Sequence, residues 1–310
     1  MKNKCLVIVG PTGVGKSAIA VEVCLRINGE IINADSRQVY KEMAIGTDMP
    51  TESTRGKVMH HIYSCTSILD TFNIFQYNNI ARRTIEEVCS RAVVPVIVGG
   101  SGQYVWSLVE NWDIPGKEPD PLVRSELEAR LRKDSGGLAE LVEELKNVDP
   151  CAWRNVDLKN PRRVIRALEK VYFDHGATPS ANMGRKTLSS TQYVVVGLAM
   201  DRRQLHERIE SRLEAMFANG WVAEVKGMIE SGKVGDLPAL DSIGYKEIVA
   251  YLQRSVSWCE CLSRIRARTH RLVRTQYNWF NPNDDRIGWY DLSVQSVDEI
   301  VDGIVARYTR

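Results

Sequence analysis

The chain has 310 residues, 44% of them hydrophobic and 26% charged, with a formal net charge of +2. This length predicts one large α/β domain with a smaller second domain. No apolar run approaches the roughly 20 residues of a membrane span, and the first apolar run begins too early to leave room for a signal peptide. The seven cysteines are scattered, so neither a disulfide framework nor a zinc site is predicted. We therefore expect a cytoplasmic protein without membrane contact.

The first predicted elements are a buried strand at residues 5–9 and a helix at residues 17–25. Between them lies a complete G-x-x-x-x-G-K-[ST] loop, in which backbone N–H groups and the helix N-terminus surround a phosphate. Lys16 is expected to contact the outer phosphate, and the hydroxyl of Ser17 to bind Mg²⁺. The residues predicted to bind a diphosphate or nucleotide are Gly10, Pro11, Thr12, Gly13, Val14, Gly15, Lys16 and Ser17.

A second predicted strand, residues 30–34, ends at Asp35. The preceding helix rises about 12 Å, and the turn and the returning strand cover about 16 Å. Asp35 therefore returns to the level of the phosphate loop, at the strand ends where open α/β sheets bind ligands. A helix N-cap, or a partner of Mg²⁺-bound water, is the alternative role for this carboxylate.

The third predicted strand, residues 94–98, leads into glycine and serine. It lacks the acidic second metal ligand of an ATPase or GTPase, and no Asn-Lys-x-Asp tetrapeptide that reads guanine occurs in the chain. Phosphate binding without machinery to activate water indicates a diphosphate leaving group or phosphoryl transfer to a small acceptor.

Six segments in this order resemble the tRNA dimethylallyltransferases (tRNA isopentenyltransferases) of the bacterial type, within the P-loop superfamily. They are GPTGVGKS from Gly10, DSRQVYKEMAIGTDMPT from Asp35, HHIYS from His60, VGGSGQYV from Val98, NPRRVIRALE from Asn160 and SIGYKEI from Ser242. Ser17 and Ser101 stand where threonine is more usual. Residues 65–72 follow the family only loosely, so the walls of the prenyl pocket are not assigned.

The chain pattern places domain boundaries near residues 112 and 193. A proline-rich stretch at residues 113–121 ends the first block, a charge-rich helical segment covers residues 121–188 with a loop at 175–190, and an apolar strand at 193–198 returns to the sheet. With the resemblance, this predicts a parallel P-loop sheet flanked by helices, formed by residues 1–112 and 193–310. Residues 113–192 are expected to form a smaller helical insertion that binds tRNA.

A basic stripe is predicted on the helix that follows Cys261. Residues 261–283 contain no acid, and Arg264, Arg268 and Arg271 share one helical face that Arg274 continues. We expect an RNA-backbone track on this face, since nothing acidic in the run neutralises it. A solvated basic face is the alternative.

A second anion site is expected where Asn160 caps a helix that begins with Pro161. Arg162 and Arg163 lie in the first turn, where each opposes the helix dipole at a cost of roughly 0.3–1 kcal/mol unless an anion binds there. A salt bridge to Asp157 is the alternative, while the resemblance implies contact with tRNA.

The resemblance also implies a reaction. A dimethylallyl group passes from dimethylallyl diphosphate to the N6 amine of the adenosine next to the tRNA anticodon, with Asp35, Ser17 and Arg212 as catalytic residues and Mg²⁺ as cofactor. The expected partners are therefore this diphosphate and the tRNA anticodon stem-loop, and the expected state is a monomer. The residues implied to bind tRNA are Asp35, Ser36, Arg37, Gln38, Ser101, Arg124, Lys159, Asn160, Pro161, Arg162, Arg163, Gly244, Tyr245, Lys246, Arg268 and Arg271.

Two other functions fit parts of the pattern. A small-molecule or nucleotide kinase would also use a phosphate loop, a nearby carboxylate and an arginine-rich helix, but it needs no RNA track. In a P-loop RNA-binding module that catalyses no reaction, Asp35 would have no catalytic role. Transfer of label to RNA from dimethylallyl diphosphate or from ATP would distinguish the three functions.

Overall fold

The structure is a computed structural model, and it describes residues 3–112, 114, 120–133, 136–173, 191–232 and 237–310. The chain divides into two compact units, Met1–Glu110 with Leu188–Arg310, and Asn111–Thr187. The loop predicted at residues 175–190, and most of the proline-rich stretch at 113–121, lie outside the described residues. No helix in the described ranges combines the length and the apolar character needed to cross a membrane.

A six-stranded sheet forms the centre of the first unit. Its strands are β1 (Asn3–Val9), β2 (Gly29–Asn33), β3 (His60–His61), β4 (Val94–Val98), β5 (Thr191–Ala199) and β6 (Ile287–Asp291). The spatial order is β3-β2-β4-β1-β5-β6, and each neighbouring pair is parallel. The predicted P-loop-type α/β fold with a parallel sheet is therefore confirmed.

Thirteen helices are present in the described residues. They are α1 (Lys16–Ile27), α2 (Glu52–Arg55), α3 (Ile74–Ser90), α4 (Gly102–Val109), α5 (Pro121–Arg132), α6 (Gly137–Val148), α7 (Pro150–Asn155), α8 (Pro161–Phe173), α9 (Arg202–Ala218), α10 (Trp221–Glu230), α11 (Tyr245–Leu252), α12 (Trp258–Trp279) and α13 (Val297–Thr309). A 3₁₀ turn, Pro238–Asp241, precedes α11. Helices α5–α8 belong to the second unit.

The apolar composition of β1 follows from its central position. Both of its neighbours, β4 and β5, pair with it in parallel, so it has no free edge. All five residues from Cys5 to Val9 are 0% exposed, as expected for a parallel strand covered on both faces. The buried strand fixes where the phosphate loop starts.

The second unit has a core of its own. Its most buried side chains come from three helices and are 0–1% exposed: Leu127, Leu141, Leu145, Val164 and Leu168. In α8 the buried positions Val164, Ile165 and Leu168 recur at a helical period. Asp149 caps α7, accepting from the backbone N–H groups of Cys151 and Ala152. The unit therefore has the hydrophobic centre that an independent domain needs.

Candidate active site

The phosphate loop lies between β1 and α1 with a backbone that requires glycine. Gly10, Gly13 and Gly15 have φ angles of 146°, 83° and 105°, a region that L side chains rarely adopt. A Cβ atom at Gly10 would also meet the carbonyl oxygen of Leu198 at 2.5 Å. The loop thus packs its backbone directly against β5, and it brings the N-terminus of α1 to the carboxyl edge of the sheet.

Lys16 lies at the end of this loop and bonds back to it. Its Nζ donates to the carbonyl oxygen of Pro11 at 2.8 Å. Burial lowers the pKa of Lys16 to about 8; the Asp35 charge opposes this shift, and the Arg212 charge adds to it. An anion at the loop would stabilise the ammonium form, so Lys16 is suited to contact phosphate.

A cavity of about 770 Å³ opens at the loop. It is formed by five segments of the first unit: the phosphate loop with the start of α1, the chain after β2, the chain after β3, the end of β4, and α9 with the residue Met200 before it. The lining residues include Gly13, Lys16, Ser17, Asp35, Gln38, Asp48, Tyr63, Val98, Gly99, Met200, Arg208 and Arg212. The structure therefore brings the three predicted catalytic residues together in one cavity.

Asp35 is held at the end of β2 by a local hydrogen-bond pattern. Its Oδ1 accepts from the N–H of Arg37 at 2.8 Å, and its own N–H donates to Asn33 Oδ1 at 2.8 Å. Asn33 is 0% exposed and also donates to the carbonyl oxygen of Ile62. No helix begins in residues 36–40, all of which the structure describes, so Asp35 is not a helix N-cap.

Arg212 lies on α9, and its side chain contacts the phosphate loop. Its Nη1 donates to Thr12 Oγ1, and its Nε pairs with Asp48 Oδ2 at 2.8 Å. Arg208, one turn earlier, donates to the carbonyl oxygen of Val14 at 3.2 Å. Sequence reasoning missed the partner Asp48, although it lies within the family-like segment that begins at Asp35. The pair holds the Arg212 guanidinium beside the phosphate loop.

Residues that the resemblance implied to bind tRNA meet next to Asp35. The N–H of Ser36 donates to Ser101 Oγ at 3.0 Å, which joins the chain after β2 to the start of α4. Arg37 Nη1 donates to the carbonyl oxygen of Pro238 at 3.3 Å. Gln38 Nε2 donates to the carbonyl oxygens of Thr47 and Asp48, each at 3.0 Å. Both amide hydrogens are thus used, and Oε1 is left as its acceptor.

The basic stripe on α12 is more neutralised than its sequence indicates. Arg264 pairs with Glu260, Arg266 with Glu210, and Arg268 with Glu247 at 2.6 Å. The expectation that nothing acidic neutralises the stripe is wrong, because acidic side chains from the first turn of α12 and from two other helices pair with its arginines. Within the described ranges, Arg271 and Arg274 have no ion-pair partner.

The segment that begins α11 is largely buried. Tyr245 is 0% exposed, and its hydroxyl donates to Glu224 Oε1 at 2.7 Å. Lys246 is exposed and lies 3.6 Å from Asp241, while Gly244, with φ 91°, packs on Trp221. In this conformation only Lys246 of the three offers its side chain to a solution partner, and tRNA binding by this segment stays a prediction.

The predicted anion site of the second unit lies at the start of α8, which begins at Pro161 as expected. Asn160 Oδ1 accepts from the N–H of Arg163 at 3.4 Å, and Arg163 lies 3.8 Å from Asp157. The salt bridge considered as the alternative is therefore present, with both side chains about half exposed. At such exposure an ion pair contributes little and exchanges readily for another anion.

Arg124 is also paired within the second unit. Its Nε lies 3.3 Å from Glu128 and 3.5 Å from Glu169, whose side chain is only 2% exposed. Glu169 also pairs with Arg166. Since a buried carboxylate needs such partners, Arg124 has a structural role here, and its predicted contact with tRNA is untested.

The sequence model of the family described as IPP transferase matches residues 38–283. The chain belongs to the IPP transferase family. It is 38% identical to a tRNA dimethylallyltransferase of Thermomicrobium roseum, with 94% of this chain and 87% of the relative aligned. It is 37% identical to a tRNA dimethylallyltransferase of Carboxydothermus hydrogenoformans, with 99% and 98% aligned.

A solved structure agrees with this family assignment. The chain is similar to the full-length tRNA isopentenylpyrophosphate transferase of Bacillus halodurans, with a TM-score of 0.72 and 30% identity, over 100% of this chain and 97% of that one. The family match begins at Gln38, and the alignment with the Carboxydothermus relative extends over 309 residues. The resemblance based on short motifs is therefore confirmed across nearly the whole chain.

Proposed function

We propose that this protein is a tRNA dimethylallyltransferase. It moves a dimethylallyl group from dimethylallyl diphosphate to the exocyclic amine of the adenosine next to the anticodon and releases diphosphate. The observation that carries the proposal is one cavity whose wall holds the phosphate loop, Asp35 and Arg212 together. Its volume of about 770 Å³ lies within the range of small-molecule sites. Membership of the IPP transferase family supports the same reaction.

The loop binds the donor through its diphosphate. Backbone N–H groups between Gly13 and Ser17 surround the anion, and Lys16 leaves the Pro11 carbonyl to contact an outer oxygen. Arg212 lies on the same side, since it already donates to Thr12. As the allylic C–O bond breaks, the electron pair leaves with the diphosphate, and these two cations stabilise the growing charge.

Asp35 acts on the acceptor. The adenosine is flipped from its stack, because its amine cannot otherwise reach the allylic carbon inside the cavity. When the N–C bond forms, the amine proton passes to the Asp35 carboxylate as general base. The hydrogen bond from the Arg37 N–H to Oδ1 fixes the carboxylate orientation. We assign contact with the base to Ser36, Gln38 and Ser101, since Ser36 is joined to Ser101 beside Asp35 and Gln38 lines the cavity.

The oxygen atoms in the cavity fit Mg²⁺. Ser17 and Asp35 both line it, and this ion commonly uses one or two protein oxygens together with water and substrate phosphates. When bound, Mg²⁺ would supply positive charge to the leaving diphosphate. In the described part of the chain, no group of three or more His, Cys, Asp or Glu side chains forms a metal site, so we assign the ion to Ser17 and the substrate.

RNA contacts are proposed on both units. On α12, Arg271 is the better candidate than Arg268, because it has no ion-pair partner within the described residues. On the second unit we propose the start of α8, where the exposed pair of Arg163 with Asp157 can open to phosphate. Both surfaces bind the negatively charged phosphates of the RNA backbone, and such contacts position the RNA without reading its sequence. The monomeric state and the cytoplasmic location stay predictions.

A label-transfer assay tests the function. The protein is incubated with Mg²⁺ and tRNA, and with either dimethylallyl diphosphate labelled in the prenyl group or ATP labelled in the terminal phosphate. We expect label on RNA only from the prenyl donor, and at adenosine. Phosphate label in RNA or in a small acceptor would establish the kinase, and binding of tRNA without transfer of either label would leave an RNA-binding module.

A further inference from the structure

Gln276 is a polar residue on the buried face of α12. The buried positions of this helix are Cys261, Ile265, Thr269, Val273 and Gln276. Gln276 is only 5% exposed. Burial of an amide costs free energy unless its groups are hydrogen-bonded, so a glutamine at the end of this stripe requires partners of its own.

The two ends of the Gln276 amide bond to different parts of the active site. Oε1 accepts from the N–H of Thr12 at 2.8 Å, within the phosphate loop. Nε2 donates to the carbonyl oxygen of Gly100 at 3.3 Å, directly before Ser101. Ser101 in turn accepts from the N–H of Ser36, beside Asp35. One side chain therefore connects the donor loop with the segment that supports the general base.

The helix that carries Gln276 is itself fixed on both sides of it. One helical turn later, the carbonyl oxygen of Trp279 accepts a hydrogen bond from Trp106 Nε1 at 2.9 Å. Two turns earlier, Arg268 pairs with Glu247, which is 6% exposed. The space around the amide is also filled, since a Cβ atom at Gly100 would lie 2.2 Å from Gln276 Nε2. Gln276 is thus held rigidly at this junction.

We propose that Gln276 is a positioning residue for prenyl transfer. It holds the phosphate loop and the Gly100–Ser101 segment at a fixed separation, so that the allylic carbon and the amine meet in line with Asp35. It acts through Thr12 and Gly100, because it is not among the residues that line the cavity. The proposal rests on the proposed function, and reactions of this kind are sensitive to small displacements of the reacting groups.

The first test compares Gln276→Met with Thr269→Val. Methionine keeps the length of the side chain but removes both hydrogen bonds. Thr269 is a matched control, since it is buried on the same helix and, within the described residues, its hydroxyl donates only to the carbonyl oxygen of Ile265 on that helix. With saturating tRNA and donor, we expect Gln276→Met to lower the single-turnover rate by roughly 10²-fold, the scale of a 1 Å displacement. Thr269→Val should lower the melting temperature and leave the rate unchanged. A wild-type rate for Gln276→Met, or an equal rate loss in both variants, would overturn the proposal.

A second test uses the contact with Gly100 and does not depend on the stability of a single variant. Gly100→Ala inserts a methyl group against Gln276 Nε2, so we expect it to slow transfer in the wild-type background. In a Gln276→Ala background the space is empty, and the same change should have little further effect. A rate loss of equal size in both backgrounds would show that Gly100 acts independently of Gln276, contrary to the proposal.

A binding measurement separates this proposal from the proposed function. If the wild-type protein transfers no prenyl label, the function fails, but the loop still binds pyrophosphate. Calorimetry should then show pyrophosphate binding weakened about fivefold in Gln276→Met, the scale of one neutral hydrogen bond. An unchanged pyrophosphate affinity would contradict the link between Gln276 and the loop, whatever reaction the protein catalyses.

Discussion

Replacing Asp35 by asparagine removes the proposed base and keeps its shape. The amide oxygen can still accept from the Arg37 N–H, which bonds to Oδ1 at 2.8 Å in the wild-type chain, so the chain after β2 should keep its conformation. Loss of a positioned general base typically lowers a rate by roughly 10²–10⁴-fold. That range corresponds to about 2.7–5.4 kcal/mol of transition-state free energy.

The Asp35 charge also acts on Lys16. It opposes the lowering of the Lys16 pKa, which lies at about 8. Without the carboxylate the pKa falls further, and at neutral pH a smaller fraction of Lys16 carries the charge that binds diphosphate. Asp35→Asn should therefore weaken donor binding modestly, in addition to its larger effect on the transfer step. Saturating donor removes the first effect and isolates the second.

Single-turnover prenylation with saturating donor and tRNA is the measurement for Asp35→Asn, beside tRNA affinity and a melting curve. We expect tRNA affinity and stability near wild type, with the transfer rate reduced as calculated. A near wild-type rate, under conditions where chemistry limits, would refute the general-base assignment. Recovery of the rate at high Mg²⁺ would instead assign Asp35 to holding the ion through water.

Four further outcomes follow from the structure. Because burial holds the pKa of Lys16 at about 8, diphosphate affinity measured by calorimetry should fall as the pH rises above 8. The Lys16→Met variant should not show this fall in affinity. A fall that persists in the variant would show that another group titrates. Arg268→Ala should lower the melting temperature, since it leaves the buried Glu247 carboxylate unpaired, with the salt dependence of tRNA binding intact. Arg271→Ala should instead reduce the slope of log affinity against log salt by roughly 0.7–0.9, with stability intact, and an unchanged slope would remove Arg271 from the RNA surface. Gly10→Ala should abolish diphosphate binding, because its methyl group would meet the Leu198 carbonyl, and retained affinity would disprove the backbone argument.

Local sequence was sufficient for the phosphate site. The strand predicted at residues 94–98 matches β4, and the helix predicted at 17–25 lies within α1. The glycine spacing determines the backbone of the loop, and a strand buried on both faces must be apolar throughout. The lengths of the predicted helix and of the strand after it were enough to place Asp35 at the level of the loop, because the rise per residue of a helix and of a strand is nearly constant.

Tertiary structure decided which charges remain available. Arg212 bonds to Asp48 across 164 residues, and Gln276 bonds to Thr12 across 264. Arg268 finds its acid on α11 rather than on its own helix. A periodic pattern identifies the face on which a side chain lies, but the element packed against that face supplies its partner. Ion pairs and buried amides depend on such partners, so the partial neutralisation of the predicted RNA stripe and the role of Gln276 emerged only from the folded chain.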